Sequence, residues 1–136
     1  MKSTHAHIAL VLASILLPSC GGPARDESAR PFPTGVSQVR TVNIQLLRNE
    51  TEITLTNTSA QEFPACTMWI NRQFSRPIEP LGIGQSITLP LASFRNEYAE
   101  PFRAGGFFAT EKPDEVVQAQ LETESGLVGL IVVGSR

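Results

Sequence analysis

Alternating apolar and polar residues dominate the chain beyond residue 40. The alternation runs from Thr41 to Leu46 and resumes from Ile53 to Thr56, with the polar turn Arg48-Asn49-Glu50 between them. Because successive side chains of a β-strand point to opposite faces, each run predicts a half-buried strand. The short polar connection predicts that these two strands form a hairpin.

Further strands follow at intervals that suit a small β domain. Pro77 cannot donate to a ladder, which predicts that its strand is a short edge segment, and Pro90 indicates that its strand also lies at an edge or ends there. The last strand is apolar on both faces except at Gly129, which predicts cover on both sides. Trp69 is the candidate core aromatic. The predicted strands are Cys66 to Asn71, Phe74 to Ile78, Gln85 to Leu91, Val117 to Leu121 and Leu127 to Val133.

One stretch interrupts this pattern. Ala92 to Gly106 predicts a single helical turn followed by a long loop, and Phe107 to Thr110 a short extended segment. About six to eight short strands separated by turn residues predict an all-β domain, an antiparallel β-sandwich.

Turn and core residues along the domain resemble those of small immunoglobulin-like or fibronectin-type-III-like domains of bacterial envelope proteins. The resemblance implies an immunoglobulin-like sandwich over residues 41–133, and it implies no activity and no site. It rests on Leu55 to Ser59, Trp69 to Phe74, Leu81 to Leu91, Phe94 to Asn96 and Phe102 to Phe108.

The first twenty residues have the features of an export signal. Lys2 precedes the apolar run Ile8 to Leu17, and Pro18-Ser19-Cys20 follows. Ten residues span only about 15 Å as a helix, half of a bilayer core, which is the length of a signal-peptide core rather than of a membrane span. The ending resembles a bacterial lipobox.

That resemblance implies a cleaved signal at residues 1–19 and a lipid-modified Cys20 as the mature N-terminus. Two acyl chains give stable anchoring, so we expect residence at a membrane of the cell envelope. Gly21, which is not Asp, favours the outer membrane by analogy with Gram-negative sorting. The alternative is an ordinary signal peptide that leaves Cys20 as a thiol. Residues 20–36, with three Pro and three Gly after Cys20, predict a flexible linker before a domain at 37–136.

The composition argues against several chemistries. The net charge of −2 gives no electrostatic basis for a nucleic-acid partner. His5 and His7 both lie in the predicted signal, so a mature protein without imidazole lacks the usual base and ligand of triad catalysis and zinc sites. We therefore expect no metal, no cofactor and no enzymatic activity. Cys66 is expected to be a buried apolar residue, with a bond to another molecule or to Cys20 as the alternative.

Aromatic and arginine side chains gather in the irregular stretch between Phe94 and Phe108. Such residues on loops held by a rigid scaffold are typical of binding surfaces, which makes this the candidate interaction surface. In the alternative, the aromatics cap the core and the arginine stems cover them. The candidate residues are Phe94, Arg95, Tyr98, Phe102, Arg103, Phe107 and Phe108.

The leading functional hypothesis is a membrane-anchored, non-enzymatic binding or accessory module that contacts an envelope protein. A carrier or sensor of a small hydrophobic ligand held inside the sandwich is the first alternative. The second is a hydrolase that uses carboxylates alone, for which Glu97 with Glu100, or Glu50 with Glu52, would be the candidate pairs.

Overall fold

A computed structural model describes residues 28–134, which form a small all-β domain. A 3-10 turn at Leu91–Ser93 follows the fifth strand. No helix among the described residues is long and apolar enough to cross a membrane. The strands are β1 (Gln38–Asn49), β2 (Glu52–Asn57), β3 (Cys66–Ile70), β4 (Phe74–Ile78), β5 (Ser86–Pro90), β6 (Ala119–Thr123) and β7 (Gly126–Val133).

The seven strands form one mixed sheet that curls into a half-barrel, in the order β4-β3-β6-β7-β1-β2-β5. Neighbours are antiparallel except β1 and β7, which run parallel. The all-β class and the number of strands agree with the sequence prediction, but the predicted antiparallel sandwich does not describe this arrangement. The reason is that β7 pairs with β1, which joins all seven strands into one sheet and leaves no second sheet to complete a sandwich.

Several local predictions are confirmed. The hairpin of β1 and β2 pairs residues from Ile44↔Asn57 to Asn49↔Glu52. Both proline-containing strands, β4 and β5, lie at the two ends of the sheet. The strand predicted to begin at Val117 starts instead at Ala119, and the Val117 side chain is exposed.

The hydrophobic core fills the concave side of the sheet. Alternate residues of neighbouring strands point into it, and aromatic and leucine side chains from the connecting segments close it. Its most deeply buried members include Ile44, Leu46, Ile53, Leu55, Met68, Ile70, Leu81, Leu91, Phe94, Phe102, Leu121 and Val128.

Trp69 is buried, but it lies on the convex side and outside this core. It is covered by residues 28–36, which we call the strap. Phe32 meets the indole edge-on at 5.1 Å between ring centroids, and the Arg30 guanidinium lies 5.1 Å from the indole centroid. Glu122 accepts hydrogen bonds from the indole N–H, at 2.8 Å, and from Arg30. Trp69 is therefore not the core aromatic of a sandwich.

The strap occupies the second half of the predicted linker. Ser28 is buried, and its carbonyl accepts a hydrogen bond from the Ser75 hydroxyl. The Arg72 guanidinium lies 4.9 Å from the Phe32 ring centroid. Residues 28–36 therefore pack on the domain instead of forming a free tether. The predicted signal and Cys20 lie outside the described residues.

The cover predicted on both faces of β7 is confirmed only for its first half. Leu127 and Gly129 are buried on the convex side, and a Cβ at Gly129 would meet Gln38 Nε2 at 2.6 Å. Ile131 and Val133 are exposed on the same face beyond the strap.

Candidate functional site

The candidate surface lies in the long irregular segment between the 3-10 turn and β6. The turn-then-loop prediction for this stretch is confirmed. The predicted extended segment at residues 107–110 is wrong, because the Ala109 N–H donates to the Gly106 carbonyl at 3.1 Å and closes a turn. Gly105 and Gly106 enter it with φ values of 86° and 118°, a backbone region that favours glycine.

Burial divides the seven candidate residues into two groups. Phe94 and Phe102 are buried, and the Phe102 ring meets Phe74 edge-on at 5.1 Å. These two side chains belong to the core and cannot contribute to a surface, as the alternative interpretation held. Arg95 is half-buried, and its guanidinium donates to the Ala92 carbonyl at 2.5 Å, so it braces the 3-10 turn.

Phe107 and Phe108 are the two most exposed large apolar side chains of the described residues. Their side chains are 95% and 91% exposed, and the two rings stack edge-on at 5.0 Å. The stretch Ala104–Thr110 around them carries no charge. Burying a Phe side chain is worth roughly 1.5–3 kcal/mol, and the isolated fold gains almost none of this from either ring.

Arg48 fixes the base of this loop. Its guanidinium donates to the carbonyls of Glu50 at 2.9 Å and Ala104 at 2.7 Å, and also to that of Asp114. The group lies 5.9 Å from the Phe102 ring centroid. Arg48 thus joins the β1–β2 turn to both ends of the loop that carries the two exposed rings.

The sequence analysis placed Arg48 in the hairpin turn and missed this role. The signal was present in the alternation, because Arg48 continues the inward series of Ile44 and Leu46. A cation at an inward position of a strand requires hydrogen-bond acceptors nearby, and backbone carbonyls of a crossing loop supply them here.

Arg103 stabilises the same loop from its solvent-exposed side. Its guanidinium donates to Asp114 Oδ1 at 2.7 Å and to Glu111 Oε2 at 3.3 Å. The hydrogen bond from Arg103 holds the pKa of the Asp114 carboxyl below its usual range. Arg103 is exposed, but it is occupied in holding residues 103 and 114 together.

Tyr98 is displayed by a second small turn. The Asn96 carboxamide oxygen accepts from the N–H groups of Tyr98 at 3.0 Å and Glu100 at 2.9 Å, and its Nδ2 donates to Glu100 Oε2 at 2.7 Å. Tyr98 is 75% exposed. It lines a pocket with Phe32 and Arg72, whereas Phe107 lines a different one with Arg48 and Glu50, so we call only Phe107 and Phe108 the aromatic platform.

No family model matches the chain, and no curated protein or solved structure is significantly similar to it. The role of the platform is therefore inferred from its geometry alone. The platform consists of two large exposed rings on a loop whose base is held in place by Arg48 and Arg103.

The chemistry elsewhere in the domain gives little support to the other hypotheses. A cleft of about 670 Å³ beside the loop is lined by eight polar or charged residues, among them Asn71, Asn96, Glu100, Arg103 and Asp114, and by two apolar ones, unlike an apolar ligand pocket. Both candidate carboxylate pairs are exposed. The described residues include no group of three or more His, Cys, Asp or Glu side chains placed to hold a metal ion.

Cys66 is half-buried at the start of β3 and packs against the core. Burial, with a smaller contribution from the charge of Glu122, raises the pKa of its thiol to about 11. The thiol is therefore protonated at neutral pH, and this suits a structural residue better than a nucleophile.

Proposed function

We propose that this chain is a lipid-anchored, non-enzymatic binding module of the cell envelope, which contacts a protein partner through the aromatic platform. We also propose a relation to the small immunoglobulin-like domains of bacterial envelope proteins, although the strands here form one mixed sheet. Attachment is proposed through acyl groups on Cys20, in the outer membrane if the host is Gram-negative.

The exposed Phe107–Phe108 pair carries the proposal. Burying these two exposed rings in an interface would contribute to the binding free energy, and a few buried anchor residues, often aromatic, dominate the affinity of protein interfaces. Arg48 and Arg103 hold the loop base, which lowers the conformational entropy lost when a partner binds. The tip has no charge to desolvate.

The test compares matched variants of the full chain in a bacterial host, each with a proximity-labelling enzyme fused after Arg136. Phe107→Ser combined with Phe108→Ser removes both rings. Ile83→Ser is the control, because Ile83 is also an exposed apolar residue, at 58%, in the β4–β5 connection. Equal amounts of each variant in the membrane fraction make the comparison valid.

We expect the double variant to lose one or more labelled envelope proteins by about tenfold, the loss that about 1.4 kcal/mol of binding free energy produces. The control should retain them. Identical labelling by wild type and double variant would show that the platform binds no protein partner.

A further inference from the structure

A pocket of about 340 Å³ lies where the strap meets the β3–β4 turn and the small turn that displays Tyr98. We call it the strap pocket. Pro31 and Phe32 form its apolar part, and the Arg72 guanidinium lies over the Phe32 ring. The strap pocket shares no lining residue with the pocket beside Phe107, so it is a site distinct from the aromatic platform.

Four polar side chains of the strap pocket make no hydrogen bond with any described residue. They are Arg72, Gln73, Glu97 and Tyr98. The guanidinium donates, the carboxylate accepts, and the amide and the phenol do both. A ligand that satisfies this set must itself carry groups that both donate and accept.

Arg72 occupies an unfavourable backbone position. Asn71 and Arg72 form a tight turn with φ values of 53° and 55°, closed by a hydrogen bond of 3.1 Å from the Gln73 N–H to the Ile70 carbonyl. Glycine is preferred at the second position of such a turn, because positive φ costs it nothing. Apart from its contact with Phe32, the Arg72 side chain makes no hydrogen bond or ion pair within residues 28–134 that would offset this cost. Strain of this kind is typical of residues that serve a ligand.

Two asparagines fix the walls of the strap pocket. Asn71 accepts a hydrogen bond from the Val117 N–H at 2.9 Å and donates to the Glu115 carbonyl at 2.6 Å, which ties the β3–β4 turn to the segment before β6. Asn96 is buried and holds the turn of Tyr98. The Tyr98 ring is therefore displayed on backbone that is ordered before a ligand arrives, which lowers the entropy lost on binding.

The strap pocket adjoins the cleft of about 670 Å³, since Gln73 and Asn96 line both, and we call this neighbour the polar cleft. Arg72 and Glu97 balance each other's charge in the strap pocket. The charged residues of the polar cleft are Glu100, Glu111, Asp114 and Glu115 against Arg103 alone. This excess of carboxylates disfavours an acidic ligand, and the continuity of the two sites suits an extended one.

We propose that the strap pocket and the polar cleft bind a neutral oligosaccharide, with one pyranose ring stacked on Tyr98. Sugar hydroxyls both donate and accept, as the free side chains require. The C–H groups on the face of a pyranose pack against the π-face of an exposed aromatic ring.

The geometry favours a saccharide over a peptide. Peptides commonly dock by adding a strand to a sheet edge or by placing side chains in apolar pockets. The residues of the strap pocket belong to two turns and to the strap, which forms no strand, and most of them are polar. The site uses neither the aromatic platform nor Cys20, so it stands or falls independently of the proposed function.

The test is a printed array of neutral and acidic oligosaccharides, probed with the full chain extracted in a detergent that has no sugar headgroup. We expect the wild type to retain one or more neutral oligosaccharides and to leave the acidic ones unbound. The dissociation constant of the best-retained oligosaccharide is then measured by calorimetric titration for the wild type and its variants.

Tyr98→Ala removes the stacking ring, and Arg72→Gly removes the guanidinium while relieving the positive φ. We expect each variant to raise the dissociation constant about tenfold. The urea midpoint of Arg72→Gly should be no lower than that of the wild type, which separates loss of binding from loss of folding. Ile83→Ala is the control, because Ile83 is an exposed apolar residue that lines neither site, and it should bind as the wild type does.

An array on which no neutral oligosaccharide is retained would overturn the proposal. Unchanged dissociation constants in both Tyr98→Ala and Arg72→Gly would also overturn it, because binding would then occur elsewhere. If the array stays empty while Tyr98→Ala loses a labelled protein in the proximity experiment, the strap pocket binds a peptide and the saccharide assignment is wrong.

Discussion

At the scale of single residues, side chains that hydrogen-bond to backbone carbonyls fix the loops of this domain. Arg48 does so for the loop below Phe107, and Asn57 does so at the opposite end, where its buried amide donates to the carbonyls of Gln61, Leu81 and Gly82. Because each of them holds several segments, the loss of one side chain releases more than one contact.

Replacing Arg48 should therefore destabilise the whole domain. Hydrogen bonds from a charged donor contribute roughly 1.5–3 kcal/mol, so we expect Arg48→Gln to lower the free energy of unfolding by about 2–3 kcal/mol in urea titration. Arg40→Gln is the control, because exposed Arg40 donates to the side chain of Gln61 at 2.7 Å, and its loss should stay within about 0.5 kcal/mol. Equal losses in the two variants would show that Arg48 does not brace the loop.

The Cys66 thiol should react slowly. A rise in its pKa from 9.0 to about 11 lowers the thiolate fraction about 100-fold at pH 8. In a Cys20→Ala background we expect alkylation to be slower by about that factor in folded than in urea-unfolded protein. The neutral thiol's contribution to stability is present below pH 9 and is lost as the pH rises towards 11. Equal alkylation rates in the two states would contradict this environment.

The sequence could identify the exposed aromatics only in part. Phe94, Phe102, Phe107 and Phe108 are of one residue type in one irregular segment, and no alternation there tells inward from outward positions. Packing of Phe102 against Phe74 and the hydrogen bond from Arg48 to the Ala104 carbonyl decide which rings are buried, and both contacts join residues that are distant in the sequence.

At the scale of elements, the strap is the least expected part of the fold. It forms no strand, and it covers Trp69 through two separate side chains, Arg30 and Phe32. Residues 20–36 predict a flexible linker because they contain three Pro and three Gly, and because packing by single side chains leaves no periodic signal. By contrast, the hairpin and the edge strands were predictable, because alternation and proline act locally.

Phe32→Ala should expose the indole of Trp69. Phe32 is half-buried, so we expect a loss of about 1–2 kcal/mol in unfolding free energy and a red shift of tryptophan emission in the native state. Trp69 is the only tryptophan, which makes the reading unambiguous. Thr34→Ala, an exposed strap residue, serves as the control, and an unshifted spectrum in Phe32→Ala would show that the strap does not shield Trp69.

At the scale of the whole molecule, the strand order was beyond the reach of the sequence pattern. Alternation reports which face of a strand is buried, but not which strands are neighbours, so the parallel pair of β1 and β7 could not be predicted. The resulting domain presents the aromatic platform on a sheet whose two edge strands each contain a proline. We interpret it as a display scaffold that is held at a membrane by its N-terminus.

The anchor is the central claim, and intact mass combined with membrane fractionation tests it most directly. The native chain and Cys20→Ala are expressed in a bacterial host and compared. We predict a mature native protein that begins at Cys20, carries acyl mass and sediments with membranes, with both properties lost in the variant. An unmodified Cys20 in a soluble native protein would contradict the account and make a diffusible binding protein the better description.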